Sequence, residues 1–232
     1  MGYEKQFNGR LKFKTEAYYQ YLYNVPVSAD VSKNFSLLNV TNTDVINSSN
    51  YTSLVNKGKG YNYGLEFSLE KALSKGYYFI ITSSLFDSKF KALSGQEFNT
   101  TFNTRYVGNL VAGKEWVAGR NKKNLFGLNG KLIYAGGRKY SPVNLSESLR
   151  LDEQVIDESQ INTLTADPYF RIDFSASYRI NSRGKAHLLL LDIQNLLSRE
   201  NNIGYYYSSN KRSLEKNKWI GILPSLTYRI EL

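Results

Sequence analysis

His187 is the one histidine in this chain of 232 residues, and there is no Cys. A His-based metal cluster, a two-His catalytic arrangement, a thiolate metal site and a disulfide framework are therefore all excluded. Carboxylates offer the next possible chemistry. Residues 137–166 carry Glu147, Asp152, Glu153, Asp157 and Glu158. Paired carboxylates bind cations or move protons, but this spacing fits no Ca²⁺ loop, and a solvated acidic loop is expected. The stretch GKGYNYG (58–64) is glycine-rich yet opens no helix, so it is not a phosphate loop. Its glycines suit a turn entering a strand. Asn39-Val-Thr and Asn50-Tyr-Thr match the glycosylation pattern and read as polar loop. No nucleophile–base pair stands out. The expectation is a protein that is not an enzyme, with no cofactor and no metal.

Charge and composition narrow the class. There are 30 Lys+Arg against 20 Asp+Glu, a net +10. Without a helical basic stripe or zinc-finger spacing, this excess does not point to nucleic acid. The 19 Tyr and 12 Phe favour half-buried pleated surfaces. The first residues, MGYEKQFNGRLKFK, lack the apolar core of a secretory signal, and Gln6 stands where a myristoylation motif needs Ser or Thr. No apolar run reaches the length of a membrane helix.

The elements that must position any site are strands. In 167–180, Phe170, Ile172, Phe174, Ala176, Tyr178 and Ile180 alternate with Arg171, Asp173, Ser175, Ser177 and Arg179. Period two means one apolar and one polar face. Residues 61–70, 219–232 and 11–23 repeat the pattern; 77–88, 105–118, 125–136 and 186–198 show it less cleanly. The result is about eight strands of roughly 10–14 residues, longer than the ~5–6 of soluble sheets and long enough for a tilted membrane strand. Long loops near 24–60, 89–104, 137–166 and 199–217 alternate with tight turns at 73–77, 119–124 and 181–185.

Up-and-down strands with long loops at one end and tight turns at the other define a transmembrane barrel pattern. Tyr21, Tyr23, Tyr61 and Tyr63 lie beside the long loops; Tyr77, Tyr78, Trp116, Tyr178 and Tyr228 lie toward the tight turns. Two aromatic bands suit two membrane interfaces. Lys75, Arg120, Lys122, Lys123, Arg183 and Lys185 occupy the turns, either against anionic headgroups or as solvated tips. A soluble β-sandwich binding module alternates in the same way and remains an alternative. A self-contained eight-stranded outer-membrane barrel with an anchoring or adhesion role is the other.

Several stretches resemble the C-terminal barrel region of TonB-dependent outer-membrane receptors: YNYGLEFSLEK (61–71), SSLFDSKF (83–90), FNTRYVGNLVAGKEW (102–116), YAGGRKYSP (134–142), LDIQNLLSREN (191–201) and GILPSLTYRIEL (221–232). The resemblance implies an all-β, antiparallel, up-and-down transmembrane barrel in the bacterial outer membrane. Its members have 22 strands, a plug, and a segment that engages the energy-coupling protein of the inner membrane. It implies uptake of a scarce nutrient such as an iron chelate, vitamin, glycan or peptide. About eight strands would make the whole of 1–232 a C-terminal segment, from a truncated frame, a split gene or an excised piece. Such a segment would not be transport-competent alone. Its partners would be outer-membrane lipid, the barrel-assembly machinery, the plug and remaining strands, and the energy-coupling protein only through the N-terminal part. Glu66, Glu70, Arg171, Asp173, Arg179, Asp192 and Gln194 would line the lumen, where pairing with the plug is favoured over ligand contact. Tyr228, Ile230 and Leu232 would form the C-terminal assembly signal, although the family usually ends in an aromatic residue.

HLLLLDIQNLL (187–197) is the least regular strand. Leu189, Leu191 and Ile193 suit the lipid face and Asp192 and Gln194 the lumen, which leaves Leu188 and Leu190 on the polar side.

Overall fold

The computed structural model describes residues 1–7, 10–40, 53–182 and 184–232. Fourteen strands follow in chain order: β1 (Gly2–Phe7), β2 (Leu11–Ser28), β3 (Leu54–Ser74), β4 (Tyr77–Lys91), β5 (Glu97–Asn99), β6 (Tyr106–Ala118), β7 (Asn124–Ala135), β8 (Lys139–Tyr140), β9 (Leu164–Thr165), β10 (Tyr169–Ser182), β11 (Lys185–Gln194), β12 (Asn202–Ser208), β13 (Ser213–Lys218) and β14 (Leu223–Glu231). One antiparallel sheet runs β1-β2-β3-β4-β6-β7-β10-β11-β14, with β5 folded back on β4. Each wall strand pairs with its neighbour along the chain. β1 and β14 stand at opposite ends of this order, so the sheet is an open, curved wall rather than a closed barrel.

The eight expected strands are present, and β1 joins them at one edge. Its register runs from Gly2 opposite Glu16 to Phe7 opposite Leu11. Two strands outrun their expected lengths: β2 has 18 residues and β3 has 21. They keep pairing beyond the aromatic zone, with Val27 opposite Val55, after a register shift between Leu22 and Val25. The loop expected over 24–60 therefore shrinks to 29–53, and 41–52 lie outside the described residues. Thr41 of the first glycosylation pattern and all of the second fall there, as Arg183 does. The other turn cations, Lys75, Arg120, Lys122, Lys123 and Lys185, are exposed. The 73–77 turn is the two-residue loop Lys75-Gly76, whose φ values of 53° and 77° match the twist of a hairpin.

The long loops contain structure of their own. In 136–168, β8 pairs with β9, and a short helix, α1 (Leu145–Leu151), follows Asn144, whose side chain accepts from the Glu147 amide. In the last loop β12 pairs with β13. Four of the five acidic residues of 137–166 are engaged rather than simply solvated. Glu147 pairs with Arg150, Asp152 accepts from the Tyr207 hydroxyl at 3.2 Å, and Asp157 caps a 3-10 turn through the Ser159 amide. Glu158 accepts from the Asn34 amide at 3.2 Å, while Asn34 Nδ2 donates to the Glu158 carbonyl at 2.8 Å and Ser94 Oγ donates to Asn34 Oδ1 at 2.7 Å. Three loops are tied together at that point. Beneath them Phe90, Ala92, Phe98 and Ile161 form a small buried core, flanked by Leu38 and Ile156.

Burial pushes the Glu158 carboxyl above its ordinary value near 4.5. A raised acid favours folding below the unfolded pKa and loses that contribution as pH rises through the folded value. Asp157, held low mainly by Ser159, acts in the opposite sense as pH falls. Glu158→Gln should therefore increase hydrogen-exchange protection of the Asn34 amide at pH 7.5. Below about pH 4 it should match the native chain, because Glu158 is then protonated in both folded and unfolded states.

Candidate functional site: two faces of one wall

Strand alternation and register together sort the wall into two chemically different faces. One face collects, row by row, Glu66, Ser84 and Glu16; Glu70 and Lys12; Thr82 and Asn109; Lys131 and Asp173; Asn129, Ser175, Asp192 and Ser225. All seven residues singled out from the sequence, Glu66, Glu70, Arg171, Asp173, Arg179, Asp192 and Gln194, share it. They do not form one cluster. Arg171 donates through Nε to Asp173 Oδ1 and through Nη2 to Gln194 Oε1 at 2.9 Å. Asp192 stands next to this group. Arg179 lies nearer the tight turns, paired with Glu231 at 2.7 Å. Glu66 and Glu70 belong to a separate patch near Lys12, Lys14 and Glu16, where Lys14 pairs with Glu16 at 2.8 Å. Leu188 and Leu190 do occupy the polar side: Leu188 lies between Arg179 and Arg229, and Leu190 between Ser177 and Thr227.

Three residues on this face carry a lateral chain that alternation alone does not reveal. Tyr78, expected in an aromatic band, lies on the polar face instead. Its ring crosses Gly113 to donate from its hydroxyl to Asn129 Oδ1 at 2.8 Å, and Asn129 Nδ2 donates to Ser175 Oγ at 3.3 Å. Gly113 leaves the space: an added Cβ would stand 2.1 Å from Asn129 Oδ1 and 2.5 Å from Tyr78 Cε1. Gly113→Ala should displace both side chains and lower stability by about 1–3 kcal/mol. A thermal melt in detergent reads this as a lower midpoint, and an unchanged midpoint would contradict the packing.

The opposite face is apolar. Leu65, Phe67, Ile81, Leu85, Leu110, Leu189, Leu191, Leu226 and Tyr228 are all exposed there. No second sheet covers them among the described residues, so this surface is far larger than a soluble monomer tolerates. That counts against the sandwich alternative. Two aromatic rows bound the apolar zone. Toward the tight turns, Trp116, Phe126, Tyr178, Leu189 and Tyr228 are successive partners across five strands. Trp116 stacks on Phe126 at 5.8 Å, and His187 Nδ1 lies 2.7 Å from the Tyr228 hydroxyl. Toward the long loops, Tyr106, Tyr134 and Phe170 contact in series at 5.6 and 6.3 Å, with Arg199 over Phe170. Tyr19 and Tyr63 pair at a similar level. Along β10, Phe170 and Tyr178 are eight residues apart, about 27 Å of strand. At a tilt of 35–45° this is roughly 20 Å, close to the ~25 Å apolar band of outer-membrane barrels. The middle row, Ala112, Gly130, Phe174 and Ile193, carries no charge. Tyr228 and Ile230 lie on this apolar face, and Leu232 follows the end of β14.

An open antiparallel wall with a banded apolar face and a polar face is part of a membrane β-barrel. The family model described as TonB dependent receptor-like, beta-barrel matches residues 2–196, and the chain belongs to that family. Its members are receptors and transporters, not enzymes. Among solved structures, the ferric yersiniabactin uptake receptor FyuA from Yersinia pestis aligns with a TM-score of 0.62 at 13% identity, over 96% of this chain and 28% of that one. BauA, the ferric preacinetobactin receptor from Acinetobacter baumannii, gives 0.62 at 15% identity, over 99% and 28%. The ferripyoverdine receptor of the outer membrane of Pseudomonas aeruginosa, bound to ferripyoverdine, gives 0.59 at 13% identity, over 99% and 26%. This chain thus spans little more than a quarter of the receptors it resembles. No curated protein sequence matches it.

One structural residue escaped the sequence reading. Asn195 follows the end of β11 and is buried in a left-handed conformation, φ 52°. Its amide donates to Asp173 Oδ1 at 2.9 Å. Its side chain donates to the Arg199 and Ile220 carbonyls at 3.0 and 3.2 Å and accepts from the Arg199 amide at 3.1 Å. The signal was its type: Asn tolerates positive φ and bonds its own backbone neighbours.

Proposed function

We propose that this chain is the C-terminal part of the barrel wall of a TonB-dependent receptor, whose polar face lines the lumen and whose long loops face outward. The complete receptor takes up a scarce nutrient, and a ferric chelate is the favoured class. The aligned structures support that class, since those three are receptors for ferric yersiniabactin, ferric preacinetobactin and ferripyoverdine. The observation that carries the reading is the register. It gathers the charged wall residues between the aromatic rows onto one face, apart from Lys5 on β1, Lys114 above Trp116 and Lys71 beside Tyr77.

Alone the chain would not transport. It offers an open wall, whose polar face would meet a plug and the remaining strands only in the complete receptor. The last strand would present Tyr228, Ile230 and Leu232 to the assembly machinery. Uptake of a labelled ferric chelate tests the proposal. Cells expressing the chain alone should show no uptake, and cells expressing it joined to a plug and the other strands should show energy-dependent uptake. Uptake by the chain alone would overturn the division of labour. Absence of uptake of any ferric chelate by the completed receptor would overturn the substrate class.

A further inference from the structure

The polar face holds a cavity of about 370 Å³ over β2, β3 and β4, lined by Tyr18, Gln20, Asn62, Glu66, Phe86 and Phe102. The register builds it. Gln20, Asn62 and Ser88 form one row across the three strands, and Tyr18, Gly64 and Phe86 form the next. Gly64 leaves the hollow between the two rings: a Cβ there would stand 3.0 Å from the Tyr18 hydroxyl and 2.8 Å from Phe86 Cβ. The third row sets Glu66 between Glu16 and Ser84. Most polar groups at the cavity satisfy one another. Thr100 Oγ1 donates to Ser88 Oγ at 2.8 Å, Ser88 Oγ to Asn62 Oδ1 at 2.6 Å, and Asn62 Nδ2 to Gln20 Oε1 at 3.2 Å.

Glu66 is the exception. It is exposed, and among the described residues no cation pairs with it. Its directly opposed neighbour Glu16 is another carboxylate, and opposed like charges repel. Lys14, the cation of the adjoining smaller cavity, is engaged by Glu16 at 2.8 Å. Glu70, four residues along β3, differs because Lys12 stands directly opposite it. At the loop end, Arg138 lies over the Phe102 ring at 5.4 Å. The cavity is therefore aromatic along its walls, cationic at its loop end and anionic at Glu66. That polarity repels an acidic group from Glu66 and draws an ammonium to it. We propose that the cavity receives a protonated amine arm of the transported chelate, with the ammonium against Glu66 and its methylenes over Tyr18 and Phe86. This rests on reading the polar face as lumen-lining and the cargo as a ferric chelate. The ammonium would relieve the repulsion between Glu66 and Glu16, and the aromatic faces attract a cation as well. The metal-bearing part of the chelate would stay on the Arg138 side.

Ferrioxamine B, a ferric trihydroxamate with one terminal ammonium, is the probe. Its N-acetylated form keeps the iron centre, lacks the charge and serves as the comparison. Isothermal titration of the complete receptor that carries this chain, in detergent, reads both affinities. The native receptor should bind the ammonium form about tenfold tighter. Glu66→Gln should abolish this difference and leave the affinity for the N-acetylated form unchanged. Glu70→Gln, at a residue outside the cavity, should keep the difference. Equal affinity of the native receptor for the two forms would overturn the amine site and leave the ferric-chelate reading standing. A difference that survives Glu66→Gln would overturn the assignment to Glu66. Equal weakening of both forms by Glu66→Gln would overturn ligand contact and give Glu66 to a partner within the receptor, such as a plug. Binding of neither form would overturn the site, whereas the ferric-chelate reading falls only if the uptake assay fails for every ferric chelate.

Discussion

Gly130→Arg should destabilise the membrane-inserted wall by about 2–4 kcal/mol, whereas the same substitution at Gly108 should cost about 0–1 kcal/mol. Both glycines lie on the apolar face. Gly130 belongs to the uncharged middle row with Ala112 and Phe174, and Gly108 is paired with Tyr134 in the outer aromatic row. Neither site is crowded: a Cβ at Gly130 meets nothing within 4 Å, and one at Gly108 meets only the Tyr134 carbonyl at 3.8 Å. Neither has a positive φ that a side chain would strain. The pair therefore isolates depth in the bilayer from packing and backbone effects. The difference corresponds to roughly one to three orders of magnitude in the folded population. Urea titration of the receptor in phospholipid vesicles measures it. Gly130→Leu serves as the apolar control and should be neutral or stabilising. Equal costs at the two depths would remove the hydrocarbon from the argument and restore a water-facing sheet.

The wall was legible because membrane strands obey two constraints at once. Their side chains alternate, and one of the two faces must be nearly free of charge. Residues 167–180 satisfy both without a miss, and β10 indeed spans Tyr169–Ser182. Where only one constraint operates, the pattern fades. β1 is six residues long and carries Lys5 on the side of Tyr3 and Phe7, so its alternation does not stand out. The outer ends of β2 and β3 lie beyond the hydrocarbon, where charge is allowed on either face and only backbone pairing remains. Tyr78 illustrates a further limit. An aromatic near a tight turn fits either face, and only the empty space over Gly113 together with the Asn129 acceptor decides for the polar one. The loop contacts were the least legible, because Glu158 and Asn34 are 124 residues apart and no local period links them.

Asn195→Ala should be among the most damaging single polar substitutions in the last third of the chain, costing about 4–5 kcal/mol. Three side-chain hydrogen bonds are lost, and the Arg199 amide and the Arg199 and Ile220 carbonyls lose a partner. Each such loss in a buried setting is worth about 1 kcal/mol or more. Alanine must also adopt the left-handed conformation, at about 1–2 kcal/mol. Asn195→Gly removes the hydrogen bonds but not the conformational fit, so it should fall between alanine and the native residue. Asn195→Asp keeps the acceptor for Arg199 but directs a carboxylate at two carbonyls and toward Asp173, and it should be at least as harmful as alanine. The consequences extend past one turn. Asn195 fixes the end of β11 to Asp173 on β10 and to Ile220 on the approach to β14. The last strand is the edge that the rest of a barrel must meet, and β14 depends on β11 as its one partner in this wall. Limited trypsin digestion reads the effect, since Arg199 lies in the turn that Asn195 holds closed. Cleavage there should accelerate in the order native, Gly, Ala, with Asp at or beyond Ala. Identical rates for native and alanine forms would show that the edge strand is held by backbone pairing alone.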